Sequence, residues 1–155
     1  MTPAVNSAKK AKIDYTVHQY KHDSGNTFYG LEAAEKLAIL PERVFKTLVV
    51  KLDATRLVVA ILPVNVMLSL KSVAKACGGR KAEMANKVEV QRSTGYVLGG
   101  VSPLGQKKSL ETIIDQSAKQ HTTIYVSGGR RGLEIELNAL DLQTLTLATF
   151  APLSQ

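Results

Sequence analysis

Lys46 interrupts an apolar run, Val44-Phe45-Lys46-Thr47-Leu48-Val49-Val50, and its surroundings call for a chemical explanation. If the run is a β-strand, alternation puts Val44, Lys46, Leu48, Val50 and Leu52 on one face and Phe45, Thr47, Val49, Lys51 and Asp53 on the other. The ammonium therefore shares the more apolar face. Burial without a partner would cost on the order of several kcal/mol. It must snorkel to water along its stem, open onto a cleft, or meet an anion. Two glycine-bearing stretches offer a complementary chemistry. Gly99-Gly100, followed by Val101-Ser102-Pro103, reads as the end of a strand passing into a stiffened turn, and Ser127-Gly128-Gly129-Arg130-Arg131-Gly132 repeats the idea with added positive charge. Backbone N–H groups left unobstructed by glycine can cradle a carbonyl oxygen or a phosphate, although glycine pairs also mark bulges and sheet corners.

Other reactive residue types point to less. Glu134 and Glu136 alternate with Leu133, Ile135 and Leu137, which predicts a solvated carboxylate face; the alternative is that one of the two lines a cleft entrance. His18 and His22 are four residues apart but span a strand and a loop, so no metal site is expected, and His121 stands isolated in a polar stretch. Cys77 falls on the apolar stripe of a helix and reads as packing rather than as a nucleophile. The chain contains no Gly-x-x-x-x-Gly-Lys-Ser/Thr phosphate loop, no paired-cysteine zinc motif and no Gly-x-Ser-x-Gly elbow.

The elements that must position these residues follow from periodicity and breakers. Helices are expected over Pro3 to Lys12, Phe28 to Leu37, Leu70 to Cys77 with Ser69 as N-cap, Asn86 to Ser93, and Ala139 to Leu145. Strands are expected over Tyr15 to Tyr20, Val44 to Leu52, Arg56 to Leu62, Thr112 to Ile114, Thr123 to Val126 and Leu133 to Leu137, the second and third forming a hairpin around Asp53-Ala54-Thr55. Strands are scattered among helices without regular alternation. That order predicts an α+β fold: a largely antiparallel, mixed sheet, curled towards a barrel and flanked by helices.

Composition narrows the class. A length of 155 residues suits a single domain, residues 1–155, and 45% apolar with 21% charged residues is ordinary for a globular chain. The N-terminus lacks the apolar core of a secretion signal, no run is long enough to span a bilayer, and one cysteine allows no internal disulfide, so a cytoplasmic protein is expected. Twenty basic residues against 13 acidic ones give a net charge of +7, in clusters spread along the chain, as a folded surface for a polyanion such as RNA would require.

Three blocks carry a resemblance. Phe45 to Leu48, Arg92 to Lys108 and Thr123 to Leu133 resemble the signature blocks of the YbaK family, free-standing Cys-tRNA(Pro) deacylases related to the editing insertion of bacterial prolyl-tRNA synthetases. The similarity runs essentially from Met1 to Leu142. It implies a trans-editing enzyme with a barrel-like mixed sheet, needing no cofactor and no metal. It also implies that Lys46 is the essential lysine, acting with the N–H groups of Gly99, Gly100 and Val101, and that Tyr20, Phe28 or Tyr29, Thr47 and Ser127 line the pocket. Glu134 stands where a close relative has aspartate. The implied partners are a tRNA acceptor end carrying cysteine and, transiently, prolyl-tRNA synthetase, with the chain itself a monomer. The substrate is Cys-tRNA(Pro), with Cys-tRNA(Cys) as a further candidate. Two rival expectations stand beside it: a deacylase for another ester such as Ala-tRNA(Pro), and a non-catalytic module that binds tRNA or the synthetase.

Overall fold

A computed structural model describes residues 1–155. Helix α1 (Pro3–Ala11) starts at Thr2, whose hydroxyl accepts the Val5 N–H, and ends at Lys12 in the left-handed region. Strand β1 (Tyr15–Gln19) leads through a loop to α2 (Tyr29–Leu37). The hairpin β2 (Phe45–Leu52) and β3 (Arg56–Pro63) turns through Asp53 and Ala54, both at positive φ, and the Asp53 carboxylate accepts the N–H groups of Arg80 and Lys81. Then come α3 (Leu70–Ala76), β4 (Ala82–Met84) and α4 (Lys87–Thr94), the last begun by a reciprocal capping box between Asn86 and Glu89. The chain closes with β5 (Glu111–Asp115), β6 (Ile124–Ser127), β7 (Leu133–Leu137), α5 (Ala139–Thr146) and β8 (Thr149–Ala151).

The fold is α+β, with one antiparallel and one mixed sheet flanked by helices. Three strands in the order β1-β7-β6 form one antiparallel sheet, and five in the order β4-β2-β3-β5-β8 form the other, with β3–β5 and β5–β8 parallel. Their inner faces enclose the main core: Phe45, Val59 and Ile61 from one sheet meet Ile124, Val126, Leu133 and Ile135 from the other, with α1 sealing one side through Ala4, Val5 and Ala8. A smaller cluster on the opposite face of the hairpin packs Val50, Val58 and Ala60 against Val73 of α3 and Leu153.

The expected barrel does not close. A parallel bridge between Val44 and Tyr125 stitches the sheets together, and no ladder continues beyond it. On the same edge of β2, β4 pairs only with Val50 to Leu52. The stretch from Phe45 to Leu48 therefore borders a gap in the sheet, and the gap holds the site. Two short strands, β4 and β8, were not expected from sequence, because three residues are too few for alternation to register. Conversely, Tyr96 to Leu98 form a turn rather than a strand. Gly95, at φ +81°, ends α4, and the Tyr96 ring is buried with its hydroxyl donating to the Leu104 carbonyl at 2.6 Å. No helix is long and apolar enough to cross a membrane.

Candidate active site

The gap beside β2 opens into a cavity of about 290 Å³. Its walls come from Tyr20 at the end of β1, Phe28 to Leu31 at the start of α2, Phe45 to Leu48 of β2, Val64, the Leu98-Gly99 turn with Val101, Ser127 and Glu134. Helix α2 reaches the cavity because Gly30 lets it approach. A Cβ there would sit 2.2 Å from Val64 Cγ1. The loop before α2 is fastened by Glu32, which is buried and accepts from His22 at 2.6 Å and from the Asp23 N–H at 2.9 Å. Burial alone would raise its pKa, but those bonds together with His22 and Lys36 hold it below the ordinary glutamate value.

Lys46 projects into this cavity and is half-buried. Its ammonium donates to the Val66 carbonyl at 2.7 Å and forms no ion pair, so two of its three protons remain for a ligand. Desolvation moves its pKa down from the ordinary lysine value. Next to it the Thr47 hydroxyl is buried without any hydrogen-bond partner, a cost that a bound polar group would relieve.

The glycine turn supplies donors, though not all of those expected. Gly99 lines the cavity at φ +83°, and neither its N–H nor that of Val101 donates a hydrogen bond within the chain. Gly100 is different: its N–H is taken by the Val97 carbonyl at 2.9 Å, it lies outside the cavity lining, and a Cβ there would meet the Arg130 backbone. Arg131 fixes the turn, donating from Nε and Nη2 to the Leu98 carbonyl at 3.0 and 2.8 Å while its guanidinium lies 4.8 Å over the Tyr29 ring. Its aromatic and carbonyl contacts could not be read from a basic cluster in sequence. Of the second glycine stretch, only Ser127 borders the cavity; Gly128 packs against Leu133 and Gly129 against Tyr96 and Thr2. Ser102 is also withdrawn from the site, fully buried with its Oγ accepting from Leu104 N–H.

Glu134 corrects the expectation of a solvated carboxylate face. Its side chain does share a face with Glu136, but the register sets Glu134 between His18 and Ser127 at the end covered by α2, whereas Glu136 faces Thr16 and Tyr125. Glu134 is 6% exposed, has no hydrogen bond or ion pair within the chain, and borders the cavity. Desolvation pushes its carboxyl up to about 8. Tyr20, on the adjoining wall, is raised to about 12 by burial and by the nearness of Glu134. Glu136 by contrast bonds to His18 at 2.9 Å and to the Thr123 hydroxyl at 2.5 Å. The two histidines thus serve separate carboxylates, and Cys77, its thiol raised to about 11 by burial and by Glu111, stands apart from the cavity. Phe28 caps α2 and is exposed at the rim, while Tyr29 lies within the wall. Gly30, Leu48, Val64 and Leu98 also border the cavity and were not among the expected site residues; a glycine in the first turn of a helix was the available signal.

A cleft with one unpaired ammonium, two uncommitted backbone amides and an orphaned hydroxyl, set in an apolar wall, is equipped to bind an anionic or ester-bearing ligand and to stabilise an oxyanion. The profile of the aminoacyl-tRNA editing domain matches residues 27–145, and the chain belongs to that family. Among its relatives is EbsC of Enterococcus faecalis, provisionally named a Cys-tRNA(Pro)/Cys-tRNA(Cys) deacylase, 37% identical over 99% of this chain and 93% of the relative. YwhH of Bacillus subtilis, an uncharacterised protein, is 26% identical over 76% of this chain and 74% of its own. The fold matches that of the hypothetical protein APE2540 with a TM-score of 0.88 at 24% identity, over 99% of both chains. It also matches a protein provisionally described as a trans-editing enzyme for prolyl-tRNA synthetase, with a TM-score of 0.86 at 21% identity over 99% and 95% of the two chains.

Proposed function

We propose that this protein is a trans-editing deacylase that removes cysteine from mischarged Cys-tRNA(Pro), and that the substrate supplies the nucleophile. The carrying observation is the pairing of the Lys46 ammonium, committed only to the Val66 carbonyl, with the undonated N–H groups of Gly99 and Val101 in one cavity. The cavity holds no serine–histidine or cysteine–histidine pair to act as an enzyme nucleophile. A cysteinyl ester carries a thiol of its own. Its sulfur attacks the ester carbonyl, the C–S bond forms, the bond to the ribose oxygen breaks, and the thiol proton ends on that oxygen. The products are the tRNA hydroxyl and a thiolactone, which water opens to cysteine.

Lys46 then acts by position, holding phosphate or ribose oxygens of the terminal adenosine, while the Gly99 and Val101 amides receive the carbonyl oxygen as it becomes an oxyanion. Gly100 has no part in this, since its N–H is already bonded. Tyr20, Thr47, Ser127 and the aromatic rim of Phe28 and Tyr29 bound the aminoacyl and adenosine ends. The net charge of +7 favours encounter with tRNA in the cytoplasm, and a chain of this size contacts little beyond the acceptor end, so the synthetase reads tRNA identity in a transient complex with a monomer of this protein.

The test measures ester loss from Cys-, Ala-, Ser- and Pro-tRNA(Pro), with and without the synthetase, by wild type and Lys46→Ala. Rapid loss from the cysteinyl ester alone, slowed about 100-fold or more in the variant at an unchanged melting temperature, is expected. Equal rates on Cys- and Ala-tRNA would remove the thiol from the reaction, and wild-type rates from folded Lys46→Ala would remove the lysine.

A further inference from the structure

Lys46 and Glu134 border the same cavity yet form no ion pair, and Glu134 finds no partner elsewhere in the chain. A buried carboxyl gains about 1 kcal/mol or more from even one good hydrogen bond, so a fold that leaves it with none has reserved it for something that enters. An aminoacyl ester brings one basic group, the α-amine, and Lys46 cannot serve it because both are cationic when protonated.

We propose that Glu134 is the binding residue for the α-amino group of the aminoacyl ester, and that it makes the site reject esters whose amine is blocked. The assignment rests on the deacylase reading above and adds which part of the substrate the deep wall recognises. Lys46 and the amides of Gly99 and Val101 engage the oxygens of the ester and the adenosine. Glu134, behind them at the β6–β7 wall beside Ser127 and Tyr20, engages the nitrogen. The two ends of the aminoacyl group are thereby held by groups of opposite polarity, which fixes the direction in which the side chain points.

The carboxyl, pushed up to about 8 by burial, is close to the range in which an α-amine titrates, about 7.7–8.0. Acid and amine therefore share one proton in the complex, whichever of them brings it. Binding weakens when both arrive protonated at low pH and when neither does at high pH. The other titratable groups around Glu134 are His18, opposite it on β1, Tyr20 on the adjoining wall, Lys46 of β2, Tyr29 and Glu32 of α2, and Glu136 on its own strand. Tyr20 stays protonated throughout the window, and Glu32 and Glu136 stay ionised, each with its pKa held down.

The experiment compares Cys-tRNA(Pro) with N-acetyl-Cys-tRNA(Pro) on wild type, Glu134→Gln and Glu134→Asp, following kcat/KM against pH and checking each variant by thermal melting. Wild type should prefer the free amine by about tenfold or more, the loss expected when a charged hydrogen bond is removed. Glu134→Asp should keep the preference, and Glu134→Gln should lose both the preference and the alkaline limb of the profile. Acetylation also alters the intrinsic reactivity of the ester, and the Gln variant reports that contribution. Equal wild-type rates on the two esters, or the same preference in wild type and Glu134→Gln, would overturn the assignment while leaving the deacylase intact. Failure of wild type to hydrolyse any of these esters would sink both.

Discussion

At the scale of single residues, the site is built from groups whose usual partners are missing: a lysine without a carboxylate, a buried threonine hydroxyl without an acceptor, and a buried glutamate without a donor. Such groups lower stability in exchange for binding. Glu134 makes the cost measurable. Unfolded, it ionises near the ordinary value of about 4.3, whereas folded it keeps its proton to about 8. Between those limits the folded chain binds more protons than the unfolded one, so this residue makes stability fall as pH rises through the window, and the loss is complete above it. Glu134→Gln removes the titration. The variant should match wild type near about pH 5 and exceed it by about 2–5 kcal/mol near about pH 8.5, read from denaturant unfolding at both pH values. A difference that does not change with pH would mean that the carboxyl ionises normally in the folded state.

At the scale of elements, two close approaches shape the cavity. Helix α2 meets the end of β3 through Gly30, and the Gly99 turn meets α2 through Tyr29, where a Cβ would come within 2.8 Å of the ring. Gly30 is helical, so alanine would by itself favour α2 by about 1 kcal/mol. The clash with Val64 should outweigh this, since the contact falls on a β-branched side chain that cannot swing aside. Gly30→Ala is expected to cost about 1–3 kcal/mol and to raise KM as α2 is pushed outward. Adding Val64→Ala should recover KM, and a double-mutant cycle shows whether the two residues are coupled. Additive effects would mean that α2 is not held by this contact. The long elements here were legible in sequence: α1, α2, the β2–β3 hairpin and β7 fall where periodicity and caps put them, within a residue or two. The three-residue strands β4 and β8 were not, nor was the turn at Tyr96 to Leu98, whose apolar run imitates a strand but is used to bury Tyr96 against the Val101–Gly105 turn.

For the whole molecule, charge and shape act together. Arg130 and Arg131 are exposed beside the turn that carries Gly99, and Lys107 and Lys108 lie exposed just beyond α4. A polyanionic acceptor end entering the cavity passes such groups and displaces counterions. With about three phosphates engaged, affinity for tRNA should fall by about twenty- to fortyfold between about 50 and about 200 mM salt, with log K linear in log salt. Filter binding of deacylated tRNA across that range checks it. A flat dependence would show that the basic surface takes no part in substrate capture.

The sequence by itself determined the strand that carries Lys46, the alternation that puts this lysine among apolar neighbours, the helix caps, and the blocks that mark the editing family. These are properties of short windows, where propensity, spacing and breakers act on a few neighbouring residues. Only the tertiary structure decided that the sheets part beside β2, that Gly100 spends its N–H inside its own turn, and that Glu134 is buried while Glu136, two residues on, is bonded at the edge. The reason is physical: the fate of a polar group depends on what covers it and what it can reach. For Glu134 that is set by α2 and β2, whose residues lie roughly 80 to 105 positions away in the chain.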